Sequence, residues 1–326
     1  SYPKTFFNST NPGRASTSSN VSSSETVPDP NFNFTTPGSS VASSVLPEVM
    51  VNEGLFVVTD INMMEGTSNL TVVITLPGSN RLNLSNTAYS YKQVTCGAGY
   101  PIVRQTFSPD TITYYFGECV NAGDNVLANN FAAVSINSTL VVTDVATNVR
   151  GAGLSIGATF LFSQDATGVK SQGAANQSYT VIEPALNSSV TAAPLGVDAG
   201  DNVTYTVVVM HTAASNAWAY DVNVTAVVPA YLKIVDASGG QPAWTAQIAG
   251  DKLSVTFIVG SLPLSSNYTT TFVAQVQDTI RPATADVKSS LTVVYDSHPS
   301  SVVLYGFQGR ENTTSSVSAA IRSEEH

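Results

Sequence analysis

Short runs of Val, Thr, Ile, Tyr and Phe, cut repeatedly by Gly, Pro, Asn or Asp, fill the chain from about residue 47 onward. Leu70-Thr71-Val72-Val73-Ile74-Thr75-Leu76 is one such run, closed by Pro77-Gly78. Others are 131–142, 154–162, 203–210, 222–228, 253–259, 268–276 and 291–295. Residues of these types fit a pleated surface, and the separators are turn formers. No long stretch carries a helical period. Short strands at near-regular spacing predict an all-β protein of sandwiches or barrels. With 326 residues, two domains are expected.

Charge narrows the function. Charged residues are 11% of the chain and the net charge is −10. A nucleic-acid binder needs a basic footprint, so that class is excluded. Polarity comes instead from 76 Ser and Thr residues. No apolar stretch reaches the ~18–20 residues of a membrane helix. The chain opens Ser1-Tyr2-Pro3-Lys4, which reads as a mature chain after signal removal.

Two cysteines, Cys96 and Cys119, flank a strand–turn–strand segment: Tyr100 to Phe107, Ser-Pro-Asp, then Thr111 to Phe116. Such a hairpin brings them together, so a disulfide and an oxidising compartment are expected. Twelve Asn-x-Ser/Thr sequons occur, at Asn8, Asn20, Asn33, Asn69, Asn83, Asn137, Asn176, Asn187, Asn202, Asn223, Asn267 and Asn312. Composition alone gives roughly six, so the excess points to a secreted glycoprotein. The partners expected are copies of the chain itself and glycans, N-linked at the sequons and O-linked on the Ser/Thr-rich arm. No cofactor and no metal are expected.

Residues 1–46 form a Ser/Thr/Asn-rich arm with few large apolar groups. Within it, Asn31-Phe32-Asn33-Phe34-Thr35 alternates with period two, placing both Phe side chains on one face of a strand. A polar arm orders only by burying something. It is therefore expected to add as a strand to an open sandwich edge, with Phe32, Phe34, Val41 and Val45 as anchors; the filament reading takes that edge from a neighbouring copy, and the sequence leaves the chain's own edge open as the other host. Residues 47–170 read as sandwich 1, 171–182 as a linker, 183–310 as sandwich 2 and 311–326 as a polar tail. Val302 to Tyr305 reads as a last or exchanged strand.

The two blocks repeat each other. Val51-Asn52-Glu53-Gly54 answers Val197-Asp198-Ala199-Gly200. Leu76-Pro77 answers Val228-Pro229, and Val142-Thr143-Asp144 answers Val276-Gln277-Asp278. The closing strands 158–162 and 291–295 both end on an aromatic.

The stretch from Val197 to Val209, with Ala219 to Thr225, Val228-Pro229, Val294-Tyr295-Asp296-Ser297 and Gly309-Arg310, resembles a known family. It is similar to the immunoglobulin-like conserved-repeat domains (domain of unknown function eleven) of large cell-surface proteins. The resemblance spans about 183–310, is weaker over 47–166, and omits the arm. His211-Thr212 stands where the family has a polar Asn, and Ala226-Val227-Val228-Pro229 replaces Asp-x-Leu-Pro. The resemblance implies an extracellular sandwich used as a structural spacer, without catalytic residues.

Other constellations favour structure. Asp198, Asp201 and Asp221 could hold calcium, but Ala199-Gly200-Asp201-Asn202 has turn chemistry. Asn121-Ala122-Gly123-Asp124-Asn125 reads the same way. No Gly-x-Ser-x-Gly, paired carboxylates or phosphate loop is present. Trp218 and Trp244 are expected in the core, against an aromatic sugar-binding face. Lys233, Lys252 and Lys288 lie near strands, but nothing marks any as an isopeptide donor. The function expected is a structural extracellular glycoprotein, a filament or surface-coat subunit and not an enzyme. The alternative is an adhesin or receptor ectodomain presenting a ligand surface.

Overall fold

A computed structural model describes residues 29–41, 44–97, 99, 101–107, 110–124, 126–163, 168–194, 196–241, 245–279 and 289–299. Among them are nineteen strands, one short 3-10 turn and no α-helix. They form two tandem immunoglobulin-like β-sandwiches.

In sandwich 1, one sheet runs β1 (Asn31–Ser39), β3 (Gly54–Asn62), β9 (Val134–Val142), β5 (Leu82–Tyr91). Its partner sheet runs β2 (Glu48–Met50), β11 (Lys170–Ile182), β10 (Gly153–Ser163), β4 (Gly66–Thr75), β8 (Asp110–Asn121), β6 (Val94–Cys96), with β7 (Ile102–Phe107) also paired to β8. Sandwich 2 has one sheet in the order β12 (Leu186–Ala193), β13 (Asn202–His211), β18 (Asn267–Val276), β15 (Leu232–Gln241). The other runs β16 (Thr245–Ile248), β17 (Ser254–Leu262), β14 (Ala219–Val227), β19 (Ser290–Asp296).

Period-two alternation builds each core. In β4, Leu70, Val72 and Ile74 are buried while Asn69 and Thr71 face outward. In β13, Val203, Tyr205, Val207 and Val209 point inward. The two cores are separate clusters.

The internal repeat is written in the hydrogen bonds. Strand orders β1-β3-β9-β5 and β6-β8-β4-β10 match β12-β13-β18-β15 and β16-β17-β14-β19 element for element. Asn52 N–H donates to Val142 O, and Val142 N–H to Glu53 O; Gly200 N–H donates to Val276 O, and Val276 N–H to Asp201 O. Leu76 N–H donates to Asp110 O where Val228 N–H donates to Leu253 O. Asn52 thus corresponds to Gly200, two positions from the alignment expected by eye. Both need a left-handed backbone, with φ of 68° and 93°, which Asn and Gly tolerate.

Two expected boundaries move. Residues 171–182 are not a linker: they belong to β11, antiparallel to β10 and parallel to β2. Their Gln, Ala and Asn content hides a strand whose Tyr179 and Val181 are buried. The described part of the arm is no separate segment either. Residues 31–39 are β1, the counterpart of β12, so sandwich 1 starts near residue 29 instead of 47. The tail 311–326, and Val302 to Tyr305, lie outside the described residues.

Candidate functional site

The described strand of the arm, β1, finds its seat within its own chain. β1 lies antiparallel on β3, with Asn33 facing Asp60 and Thr35 facing Val58. Phe34 is buried in the sandwich 1 core, and Phe32 is half-buried with its ring 5.8 Å from that of Phe160. The strand also reaches the opposite sheet. Thr36 and Tyr179 share a hydroxyl–hydroxyl hydrogen bond, and Gln177 Nε2 donates to Phe34 O. Of the four expected anchors, three are covered and one is not. Val41 is buried, but Val45 is 73% exposed and anchors nothing among the described residues.

Glu53 fixes the chain that leaves β1. Its carboxylate is fully buried and accepts Met50 N–H at 2.6 Å. Burial pushes the acid above its usual range, while Ser39, Met50 and Ser44 favour its charged form. Next to it, Ser40 N–H donates to Gly54 O and Gly54 N–H to Ser40 Oγ.

The connection between sandwiches is only Glu183-Pro184-Ala185, and both sides grip it. From sandwich 1, Arg150 N–H donates to the Glu183 carboxylate at 2.9 Å. The Arg150 guanidinium donates to Glu183 O at 3.2 Å and Pro184 O at 3.0 Å. From sandwich 2, Asn216 Oδ1 accepts Glu183 N–H and Ser215 Oγ accepts Ala185 N–H, each at 3.0 Å. Val41, Met50 and Ile182 of sandwich 1 form one buried apolar cluster with Ala217 and Tyr220 of sandwich 2.

His211 belongs to this clasp. Leu262 O can only accept, so His211 Nε2 donates to it at 3.1 Å, while Nδ1 and Ser215 Oγ share a hydrogen bond at 2.6 Å. A Ser–His hydrogen bond suggests a nucleophile, but this hydroxyl already accepts Ala185 N–H and braces the connection. Sequence inspection missed Arg150, Glu183, Asn216, His211 and Ser215 as a group. The sequence carries only two separate signals, the Glu183-Pro184 pair and the Thr212 to Asn216 turn after β13.

The remaining candidates fall as follows. Cys96 and Cys119 are disulfide-bonded, facing each other between β6 and β8. Asp198 N–H donates to Asp201 Oδ2, a side-chain-closed turn. Asp221 sits apart with φ of 49°. Asp124 accepts Val126 N–H and Asn129 Nδ2, so that loop is also turn chemistry. No group of three metal-ligating side chains occurs among the described residues. Trp218 departs from expectation: it is 38% exposed, because it precedes β14 at the junction and only tilts toward Tyr220. Trp244 and Lys288 lie outside the described residues. Lys233 and Lys252 are exposed, so neither amine is desolvated as isopeptide chemistry requires.

Nine sequon asparagines are described, and every one lies in a strand. Asn33, Asn69, Asn137, Asn176, Asn187, Asn202 and Asn267 are exposed, while Asn83 and Asn223 are half-buried. Asn8, Asn20 and Asn312 lie outside the described residues. Period two puts the +2 hydroxyl on the face of its Asn.

No family model matches the chain, and no curated protein does. Among solved structures it is similar to BspA_C_WT, at 11% identity and TM-score 0.42, over 84% of this chain and 94% of that one. The C-terminal domain of the Streptococcus pyogenes antigen I/II-family protein AspA matches at 10% identity and TM-score 0.37, over the same 84% and 94%. A 35 kDa C-terminal fragment of the Streptococcus agalactiae major pilin GBS80 matches at 8% and 0.33, over 89% and 91%. Likeness at this level concerns the layout of β-sheets and nothing finer.

Proposed function

We propose that this chain is a structural section of an extracellular surface glycoprotein, in which tandem sandwich repeats build a stiff rod for a filament or coat. The observation that carries the reading is the clasp at 183–185. A three-residue connection, held from both sides and backed by a buried apolar cluster, leaves little freedom for one sandwich to swing on the other. Tandem repeats gain function from such transmitted orientation. Small-angle scattering tests it. The intact chain should fit one rigid elongated particle, and Arg150→Ala with Asn216→Ala should require an ensemble. Wild-type scattering that already requires an ensemble refutes the rod.

A second reading keeps the rod and adds head-to-tail strand addition between copies. It is favoured by the position of β1, an edge strand joined to the rest through one connection at 40–47. Domain exchange preserves every β1 contact in trans. Asn33→Cys with Asp60→Cys tests it on a non-reducing gel. A ladder of multimers supports exchange; monomer alone sinks it.

A further inference from the structure

The outer face of the seven-stranded sheet carries a groove that ends at a sequon. Three rows of side chains cross β10, β4 and β8 there. Asn69 lies between Ser163 and Glu118, Thr71 between Leu161 and Tyr115, and Val73 between Thr159 and Thr113. In the middle row a short Thr stands between two tall side chains. Leu161 and Tyr115 are therefore walls, one strand to each side of β4, about 9–10 Å apart. Thr71 and Val73 make the floor. The cavity holds about 270 Å³, and Asn69 lines it.

The Tyr115 wall is held upright. Gly117, with φ of 69°, sits at a bulge where the β4–β8 register shifts after Leu70. That bulge brings Tyr115, not Phe116, opposite Thr71. Arg104 on β7 lies over the Tyr115 ring, 5.9 Å from its centre. Tyr115 is 46% exposed, so a large part of it still meets solvent.

We propose that Asn69 carries an N-linked glycan whose first sugars lie along β4 in this groove, between Tyr115 and Leu161. This rests on the glycoprotein reading above. The amide Nδ2 of Asn69 displaces a polyprenyl diphosphate from the anomeric carbon of an oligosaccharide. The C1–O bond to diphosphate breaks, the N–C1 bond forms and one amide proton leaves. Thr71, at +2, completes the sequon on the same face. The chemistry of the groove suits a sugar. Pyranose C–H faces pack on the Tyr115 ring and the Leu161 methyls, and the hydroxyls of Thr71 and Thr113 face the sugar's own. The volume lies just below the ~300 Å³ of the smallest drug-sized pockets, the scale of a sugar unit or two. The seated glycan shields the solvent-facing apolar surface of Tyr115 and Leu161.

The test uses the whole chain secreted from a glycosylating host, with site occupancy read by peptide mass spectrometry. Release of the glycan by an amidase on native protein is timed at Asn69 and at Asn187, which lies on edge strand β12. Release at Asn69 should be about tenfold slower, the effect of a contact worth about 1.4 kcal/mol. Tyr115→Ala with Leu161→Ala should bring the two rates together, as should denaturation. Equal rates on native wild-type protein overturn the seating. An unmodified Asn69 beside modified sites overturns it too, while leaving the glycoprotein reading intact. Protein without glycan at any sequon overturns both.

Discussion

Replacing Phe34 by Ala separates an integral first strand from an arm that only rests on the sandwich. Phe34 is 4% exposed and packs within the sandwich 1 core. Losing a buried Phe side chain forfeits about 1.5–3 kcal/mol of transfer energy. A cavity term adds to this, and measured Phe→Ala changes in cores run to about 3–5 kcal/mol. For a domain of this size that lowers the melting temperature by about 6–20 °C, at roughly 2–4 °C per kcal/mol. Both tryptophans, Trp218 and Trp244, belong to sandwich 2. Fluorescence therefore follows sandwich 2, and amide hydrogen exchange on β3, β9 and β10 peptides follows sandwich 1. Phe34→Ala should loosen those peptides and leave the tryptophan transition in place. The midpoint should not depend on protein concentration, since a strand held in cis adds no association step. A loss under about 1 kcal/mol would refute the reasoning, because no well-packed core Phe costs so little.

Other perturbations act on different contacts. Removing the Cys96–Cys119 bridge, which closes 23 residues, should cost sandwich 1 about 3 kcal/mol by chain entropy; urea unfolding with and without reductant measures it. Glu53 has a folded pKa raised above 4.5 by burial, so its protonated form favours the fold. Its stabilisation is fullest below that value and falls as pH rises toward the folded pKa. Glu53→Gln should therefore gain on wild type as pH rises, in paired melts from pH 4 upward. His298 is buried and its pKa is lowered from 6.5 by that burial, opposed by Pro299 and by Asp221. Its neutral ring favours the fold, so this stability is present above pH 6.5 and lost as pH falls. The sandwich 2 tryptophan transition should weaken below that pH, and His298→Asn should flatten the trend.

Much of the fold was legible because alternation of apolar and polar residues is local. β4, β10, β13, β18 and the β7–β8 hairpin with its disulfide follow from runs such as Leu70 to Leu76. β1 and β11 escape that pattern for one reason. Each is a polar strand contributing few apolar residues, Phe32 and Phe34 in one, Tyr179 and Val181 in the other, to a core built by others. β1 also carries Pro37-Gly38, at a register shift between Thr35 and Gly38. The internal repeat held the cue, since β12 is equally polar: Leu186-Asn187-Ser188-Ser189. The clasp was not legible, because Arg150 donates to the carbonyl oxygens of Glu183 and Pro184, which have no sequence signature. The sequon excess also has a strand origin. Outward faces built from Asn and Thr at period two write Asn-x-Thr whether or not a glycan follows.

The rod rests on a fixed relation between the two sandwiches, and a distance distribution measures that directly. Ser90 on β5 and Thr245 on β16 are exposed, one on each sandwich. Ser90→Cys with Thr245→Cys offers two spin labels, since both native cysteines are bonded. Double electron–electron resonance should return one narrow peak, which broadens in Arg150→Ala with Asn216→Ala. A broad or multiple distribution in the otherwise native chain would contradict the account.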